Sequence, residues 1–275
     1  MSSSASTAAG QGRERRFLVG AAGGPARLAG RADLPDWYLR HRMAVVDLRS
    51  AAWRRARVEV VPPGYAPDEC MRRLARARRL RRVGRGLYVV IDRVRETPAV
   101  AIASALFGEV PHYVTTDAAL AFHGLLDQPI GTITVVLSRT RRAIDIGPAI
   151  VRPVTVSADR LRAADAYATT ADGFAVRLAS REQAVVDAVA EPFWMEHGDL
   201  LAEVLAVFAD DELERAAIGA LARSTAAGQR LGYLLEEAGR QPPQLLAGLR
   251  PLRAVRLRPK DTRRGPYSTR WRVYG

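Results

Sequence analysis

PDECMRRLARARRLRRVGRGLYVVI, residues Pro67 to Ile91, decides how the front of this 275-residue chain folds. Pro67, Asp68 and Glu69 suit a first helical turn, because proline needs no amide partner there and carboxylates favour the positive end of the helix. Met71, Leu74 and Ala77 or Arg78 then recur at helical spacing on one face, with Cys70 beside them. Arg72, Arg73, Arg76 and Arg79 fall mainly on the other face. The spacing predicts a helix over 67–79. Leu80 to Ile91 follows at once as two short extended runs about Gly84-Arg85-Gly86, a hairpin signal because glycine tolerates positive φ. Helix, short strand, glycine turn and returning strand together describe a winged helix.

Working outward toward the N-terminus, Val58 to Val61 reads as extended, running into a turn at Pro62-Pro63-Gly64. Ser50 to Arg57 reads as a short helix carrying Trp53. Order is expected to begin near Leu34-Pro35, with Trp37, Tyr38, Met43 and Val46 as apolar anchors of a first helix. Gly23 to Arg31 reads as a flexible lead-in. Met1 to Gly12 is serine, alanine and glycine without the apolar run of a secretion signal, and is expected to be a disordered tail of a cytoplasmic protein.

Toward the C-terminus, Thr97-Pro98 starts a helix running to Gly108, and Thr116 to Leu125 reads as another. Thr132 to Leu137 and Ile150 to Val156 read as strands. Ser180 with Gln183 three residues on is a capping box for a helix with Ala184, Val185, Ala188 and Val189 inside. Helices are expected at Leu200 to Phe208, Asp211 to Ser224 and Ala227 to Ala238, the last stopped by Gly239. Trp271 to Tyr274 reads as extended. The expected fold class is α+β: a disordered tail at 1–30, a winged helix-turn-helix at 31–95 and a larger mixed α/β domain at 96–275.

Charge divides the chain in the same way. Net charge is +13, from 42 basic and 29 acidic side chains. Residues 1–95 hold 21 basic and 8 acidic groups, residues 96–239 hold 11 and 20, and residues 240–275 hold 10 and 1. A basic head, an acidic middle and a basic tail imply different partners. Lys260 is the only lysine. A GC-rich genome is one expected source of the arginine abundance, but it would not segregate the arginines into head and tail. Cys70 is the only cysteine, so neither a disulfide framework nor a zinc knuckle can be built. No apolar run is long enough to span a bilayer, and no membrane partner is expected.

The basic helix reads as a recognition helix for the major groove of double-stranded DNA. Arginine bonds guanine bidentately there, so Arg72, Arg73 and Arg76 are the expected base readers. Arg79, Arg82 and Arg85 are expected on phosphates, Arg85 from the wing tip, where they supply salt-sensitive affinity. No catalytic residue, cofactor site or metal site is expected. A Glu-x-Lys nuclease core is missing, since Arg258 stands two before Lys260. There is no Asp-x-Asp pair for a nucleotidyltransferase metal. His41, His112, His123 and His197 are dispersed, and Gly20-Ala21-Ala22-Gly23 lacks the strand and lysine of a phosphate loop.

Five stretches carry a family resemblance: Leu80 to Val90 (LRRVGRGLYVV), Tyr113 to Gln128 (YVTTDAALAFHGLLDQ), Leu178 to Asp187 (LASREQAVVD), Arg230 to Glu236 (RLGYLLE) and Ser268 to Val273 (STRWRV). In this order the chain resembles the AbiEi-type antitoxins of bacterial type IV toxin–antitoxin (abortive infection, phage-defence) systems. The first 64 residues depart from the pattern. The resemblance implies an N-terminal winged helix that binds inverted repeats in its own promoter and represses the operon. It also implies a C-terminal antitoxin domain at 96–275 acting against a cognate nucleotidyltransferase-like toxin, in a cytoplasmic, nucleoid-associated protein that is not an enzyme. The alternative is a single-function winged-helix transcriptional regulator whose C-terminal domain senses a ligand or dimerises. Glu182, Asp187, Arg230 and Trp271 lie in the recurring patterns and are read as packing residues. The tail Arg250 to Arg264 reads either as a contact to flanking DNA or as a solvent-facing loop.

Overall fold

The computed structural model describes residues 34–61, 66–91, 97–258 and 265–275. The expected tail at 1–30, the Pro62-Pro63-Gly64 turn, and Lys260 with the rest of 259–264 lie outside the described residues.

The front of the chain is built as α1 (Leu34–Arg40), β1 (Val45–Asp47), α2 (Ala51–Val60), α3 (Pro67–Arg76), β2 (Leu80–Gly84) and β3 (Leu87–Val90). The three strands form an antiparallel sheet in the order β1-β3-β2. Trp37, Tyr38, Val46, Trp53, Ala56, Met71, Leu80 and Tyr88 fill the core beneath it. The first helix stops sooner than its apolar spacing suggests: Val46 belongs to β1, where it is fully buried by pairing opposite Tyr88. The second helix runs longer. Val58 to Val60, read as extended from their β-branched side chains, continue α2 because Ala56 and Val60 complete its buried face. Ser50 caps it, its hydroxyl accepting the Trp53 amide at 3.0 Å. The third helix ends at Arg76, short of Arg79, because Arg78 turns into the left-handed region (φ 53°). The Arg78 and Arg79 amides then donate to Ala75 and Leu74 carbonyls, which closes the helix end. Gly86 has φ +73° in the hairpin turn, and its carbonyl accepts the Leu48 amide at 2.9 Å.

The rest of the described chain contains α4 (Ala99–Ala105), β4 (His112–Thr115), α5 (Thr116–Phe122), β5 (Thr132–Leu137), β6 (Ile144–Asp145), β7 (Ile150–Thr155), α6 (Ala158–Arg162), β8 (Ala166–Ala171) and β9 (Phe174–Ala179). Then come α7 (Arg181–Ala190), α8 (Leu201–Ala206), α9 (Asp210–Arg223), α10 (Thr225–Glu237), α11 (Gln244–Ala247), β10 (Val255–Arg256), β11 (Tyr267–Ser268) and β12 (Val273–Tyr274). A mixed six-stranded sheet runs β6-β7-β5-β4-β9-β8, and β10-β12-β11 form a small second sheet. The architecture is α+β. Thr116 takes φ 52° where β4 turns into α5, a strained conformation for a β-branched residue, and its hydroxyl donates to the Trp194 carbonyl. Trp271, in the turn before β12, is buried against Gly232 of α10, where a Cβ would overlap the indole ring.

The front sheet has two buried faces. Tyr88 and Val90 point into the front core, whereas Ala44, Val45 and Val89 belong to the large core that includes α4 and the six-stranded sheet. Arg81 of β2 reaches Asp145 of β6 at 3.1 Å and lies over Gly147. The Arg42 guanidinium sits 5.9 Å from the Phe174 ring. The basic front is packed onto the body of the protein through its own sheet.

Candidate functional site

The exposed guanidiniums of the front unit converge between α3 and the β2–β3 turn. A groove of about 680 Å³ there is lined by Arg49, Asp68, Arg72, Arg82, Arg85 and the Tyr88 edge, with Leu48 and Gly86 at its floor. Three elements supply the cations: Arg49 stands just before α2, Arg72 is on the outer face of α3, and Arg82 and Arg85 are on the hairpin. All four side chains are solvent-exposed. Met71 of α3 is buried and Cys70 and Leu74 pack half-buried beside it against the front core, so the arginine face of that helix is turned outward. Arg73 and Arg76 lie exposed on the same helix but do not line the groove.

The six arginines singled out from sequence are therefore not equivalent. Arg72 and Arg73 share Glu69 as counter-ion, at 3.1 and 3.4 Å. Both pairs are exposed, and such helix-face pairs stabilise by only about 0.3–0.5 kcal/mol, so either arginine can be withdrawn at little cost. Arg82 donates back to the Gly84 carbonyl at 3.3 Å, which bends its side chain along the hairpin. Arg79 turns inward. It is four-fifths covered and pairs with Asp36 of α1 at 2.6 Å, tying the end of α3 to the first helix. Arg81, not selected from sequence, is committed to Asp145 across the seam. Arg49 was also missed. Glu69 had a readable signal, since it stands three and four residues before Arg72 and Arg73; Arg49 and Arg81 acquire their surroundings only through tertiary folding.

The larger domain carries a different kind of site, polar but enclosed. Asp187 of α7 is fully buried. Its carboxylate accepts the Tyr113 hydroxyl at 2.9 Å, the Thr115 hydroxyl at 2.9 Å and the Gln183 amide at 3.0 Å. Arg160 approaches it at 3.6 Å while pairing with Glu191 at 2.8 Å and stacking on Trp194. Burial pushes the Asp187 carboxyl above the usual carboxylate range, opposed by Thr115, Tyr113, Arg160 and Gln183. The Ser180 cap forms as expected, its hydroxyl accepting the Gln183 amide at 3.1 Å. The reciprocal half of the capping box does not, because the Gln183 side chain is held by Asp187 and the Asp165 amide. Asp117 of α5 is buried too, accepting amides of Glu196 and His197 at 3.0 and 2.8 Å and facing the His197 ring at 3.0 Å. Arg230 is spent on carbonyls, donating to Val189 at 2.9 Å and Arg256 at 2.8 Å. Glu182 pairs with Arg215 at 2.6 Å. These groups tie β4, α6, α9 and α10 to α7.

Among the described residues, no helix is long and apolar enough to cross a membrane, and no group of three or more His, Cys, Asp or Glu is placed to hold a metal ion. A search of curated proteins finds no match. The crystal structure of RV2827C protein from Mycobacterium tuberculosis is similar in fold, with a TM-score of 0.59 and 18% sequence identity, covering 87% of this chain and 89% of that one. The family model for the AbiEi antitoxin C-terminal domain matches residues 113–237, from the β4 tyrosine that bonds Asp187 to the last residue of α10. The buried network around Asp187 therefore lies inside the matched segment, the arginine groove lies outside it, and the similarity to the AbiEi antitoxin C-terminal domain is confined to residues 113–237.

Proposed function

We propose that this protein is an antitoxin that also represses its own operon, with residues 31–95 as a winged-helix DNA-binding domain and 96–275 as the antitoxin domain. The observation that carries the DNA-binding half is the groove that gathers Arg49, Arg72, Arg82 and Arg85 from three elements. Helix α3 is the recognition helix in this reading, and β2–β3 is the wing. Arg72, Arg73 and Arg76 read base edges in the major groove, and Arg82 and Arg85 hold phosphates. Arg79 acts at one remove, by fixing α3 against α1. The target is double-stranded DNA bearing an inverted repeat in the promoter. The AbiEi domain supports the antitoxin half, directed at a cognate nucleotidyltransferase-like toxin, in a cytoplasmic protein associated with the nucleoid and without enzymatic activity.

The test is fluorescence anisotropy of the full chain on promoter DNA across a salt series. Alanine at Arg72, Arg82 and Arg85 together is expected to flatten the slope of log K against log salt by about 2, near 0.9 for each of the two phosphates that Arg82 and Arg85 no longer neutralise. An unchanged slope would overturn the assignment of this groove. Antitoxicity is tested separately, by co-expression with the nucleotidyltransferase-like gene of the same operon. Failure of the full chain to restore growth would overturn that half of the reading.

A further inference from the structure

The seam between the front unit and the body contains a cavity of about 290 Å³. Met43 to Val45 wall it on one side, α4 on a second, and Phe174 to Arg177 of β9 on a third. Its lining is mostly apolar, with Ala101, Ala105, Val45 and Phe174 prominent. The polar floor is already satisfied. The His112 Nδ1 faces the Val110 carbonyl at 2.6 Å and so must carry the ring proton. Nε2 is then an acceptor, and the Ser104 hydroxyl donates to it at 2.9 Å. The same hydroxyl oxygen accepts the Arg177 amide at 3.1 Å. Burial holds His112 toward the neutral form, so the floor bears no charge.

Two cations flank this apolar space. Arg42 and Arg177 are both exposed, and neither forms an ion pair among the described residues. No carboxylate is among the described residues that line the cavity. A ligand entering it thus meets hydrocarbon walls, a saturated polar floor and two guanidiniums at the edge. Pockets of this character, apolar with a few convergent charged groups, bind small molecules and occur preferentially where domains meet.

We infer that the seam cavity binds a small amphipathic anion: an aromatic or short acyl group with one carboxylate or sulfonate, its apolar body between α4 and Val45 and its charge between Arg42 and Arg177. Nucleotides do not fit this chemistry, since the saturated floor offers a base edge no free donor. The site bridges the two parts of the chain, so its occupancy acts on the joint between them. This inference is independent of whether the arginine groove binds DNA.

The test uses the full chain with 1-anilinonaphthalene-8-sulfonate as probe, read by fluorescence titration, and with the uncharged N-phenyl-1-naphthylamine as its neutral counterpart. Saturable binding of one anion per chain is expected, together with a raised melting temperature, which marks binding to the native state. Arg42→Gln with Arg177→Gln is expected to weaken the anion by about tenfold or more, the scale of a missing charge-assisted hydrogen bond. Alanine at Arg72, Arg82 and Arg85 is expected to leave anion binding unchanged. Equal binding of the neutral probe, unchanged binding to the Arg42 and Arg177 double variant, or loss of binding in the groove variant would each overturn the assignment. Circular dichroism of both variants separates a lost site from a lost fold.

Discussion

Replacing Asp187 by alanine tests whether the enclosed polar network holds the larger domain together. The carboxylate is fully buried and accepts three hydrogen bonds, from Tyr113, Thr115 and Gln183. Alanine leaves all three donors without that partner, in a space that the shortened side chain no longer fills. An orphaned buried donor costs about 1–3 kcal/mol, and three are left here. Arg160 keeps Glu191 at 2.8 Å, so its own charge remains compensated and adds little. We therefore expect a loss of about 3–5 kcal/mol, a large share of the roughly 5–15 kcal/mol that holds a typical domain folded. Urea unfolding of the full chain, followed by far-ultraviolet circular dichroism, measures it as a drop in midpoint at unchanged slope. A loss below about 1 kcal/mol would refute the reasoning, since no buried network of this kind can be so cheaply broken.

Asp187→Asn separates the charge from the hydrogen bonds. Burial holds the native carboxyl above its ordinary range, so the folded protein binds this proton more readily than the unfolded chain does. The contribution of Asp187 to stability is thus greatest in acid. It falls as pH rises from the unfolded carboxylate's range through the raised native value. The asparagine variant cannot titrate, so the difference in stability between wild type and Asp187→Asn should shift in favour of the variant as pH rises through that window. A difference that is flat with pH contradicts the assignment of a raised pKa to this group.

Three further outcomes are expected. Gly232→Ala places a methyl group in the Trp271 ring, and overpacking of this kind costs about 1–3 kcal/mol; a variant as stable as wild type by urea unfolding would show that the α10–Trp271 packing is loose. Arg81→Ala and Asp145→Ala, taken through a double-mutant cycle, should give a coupling of about 0.2–1 kcal/mol that shrinks with added salt, as for other exposed pairs. Gly86→Ala forces a side chain into φ +73° at the hairpin tip, costing about 1–2 kcal/mol, and amide exchange should accelerate first at Leu48, whose amide is held by the Gly86 carbonyl.

The stretch 67–91 was legible because everything it needs is local. A helix start, a charged face and a glycine turn lie within 25 residues, and α3, β2 and β3 follow them. Strand β5 was legible from its unbroken run of β-formers, and α7 from Ser180. What escaped depends on distant partners. Val58 to Val60 have strand composition, but the buried face of α2 makes them helical. Val46 sits at helical spacing from Tyr38 and Met43, yet pairing with β3 claims it. The β8–β9 hairpin was missed even though Asp172-Gly173 marks it, with φ of 50° and 83° at the two positions, because β8, Ala166 to Ala171, carries no apolar alternation to pair with that of β9. For the site, composition located the basic surface but could not rank its members. Arg79 and Arg81 look like their neighbours in sequence, and only Asp36 and Asp145, 43 and 64 residues away, distinguish them.

The front sheet, with one face in each core, makes the two halves of the chain share a fate. A protease that severed them would expose Ala44, Val45 and Val89 on one fragment and the α4 surface on the other, and neither fragment would keep a closed apolar interior. Limited proteolysis is accordingly expected to release no long-lived front fragment; a stable one of about 60 residues would contradict this, since domains that small have little core to spare. Under the proposed function, degradation would then remove repressor and antidote in the same stroke. Promoter release and toxin release would keep time with each other through the lifetime of one polypeptide, without any signal passing between them.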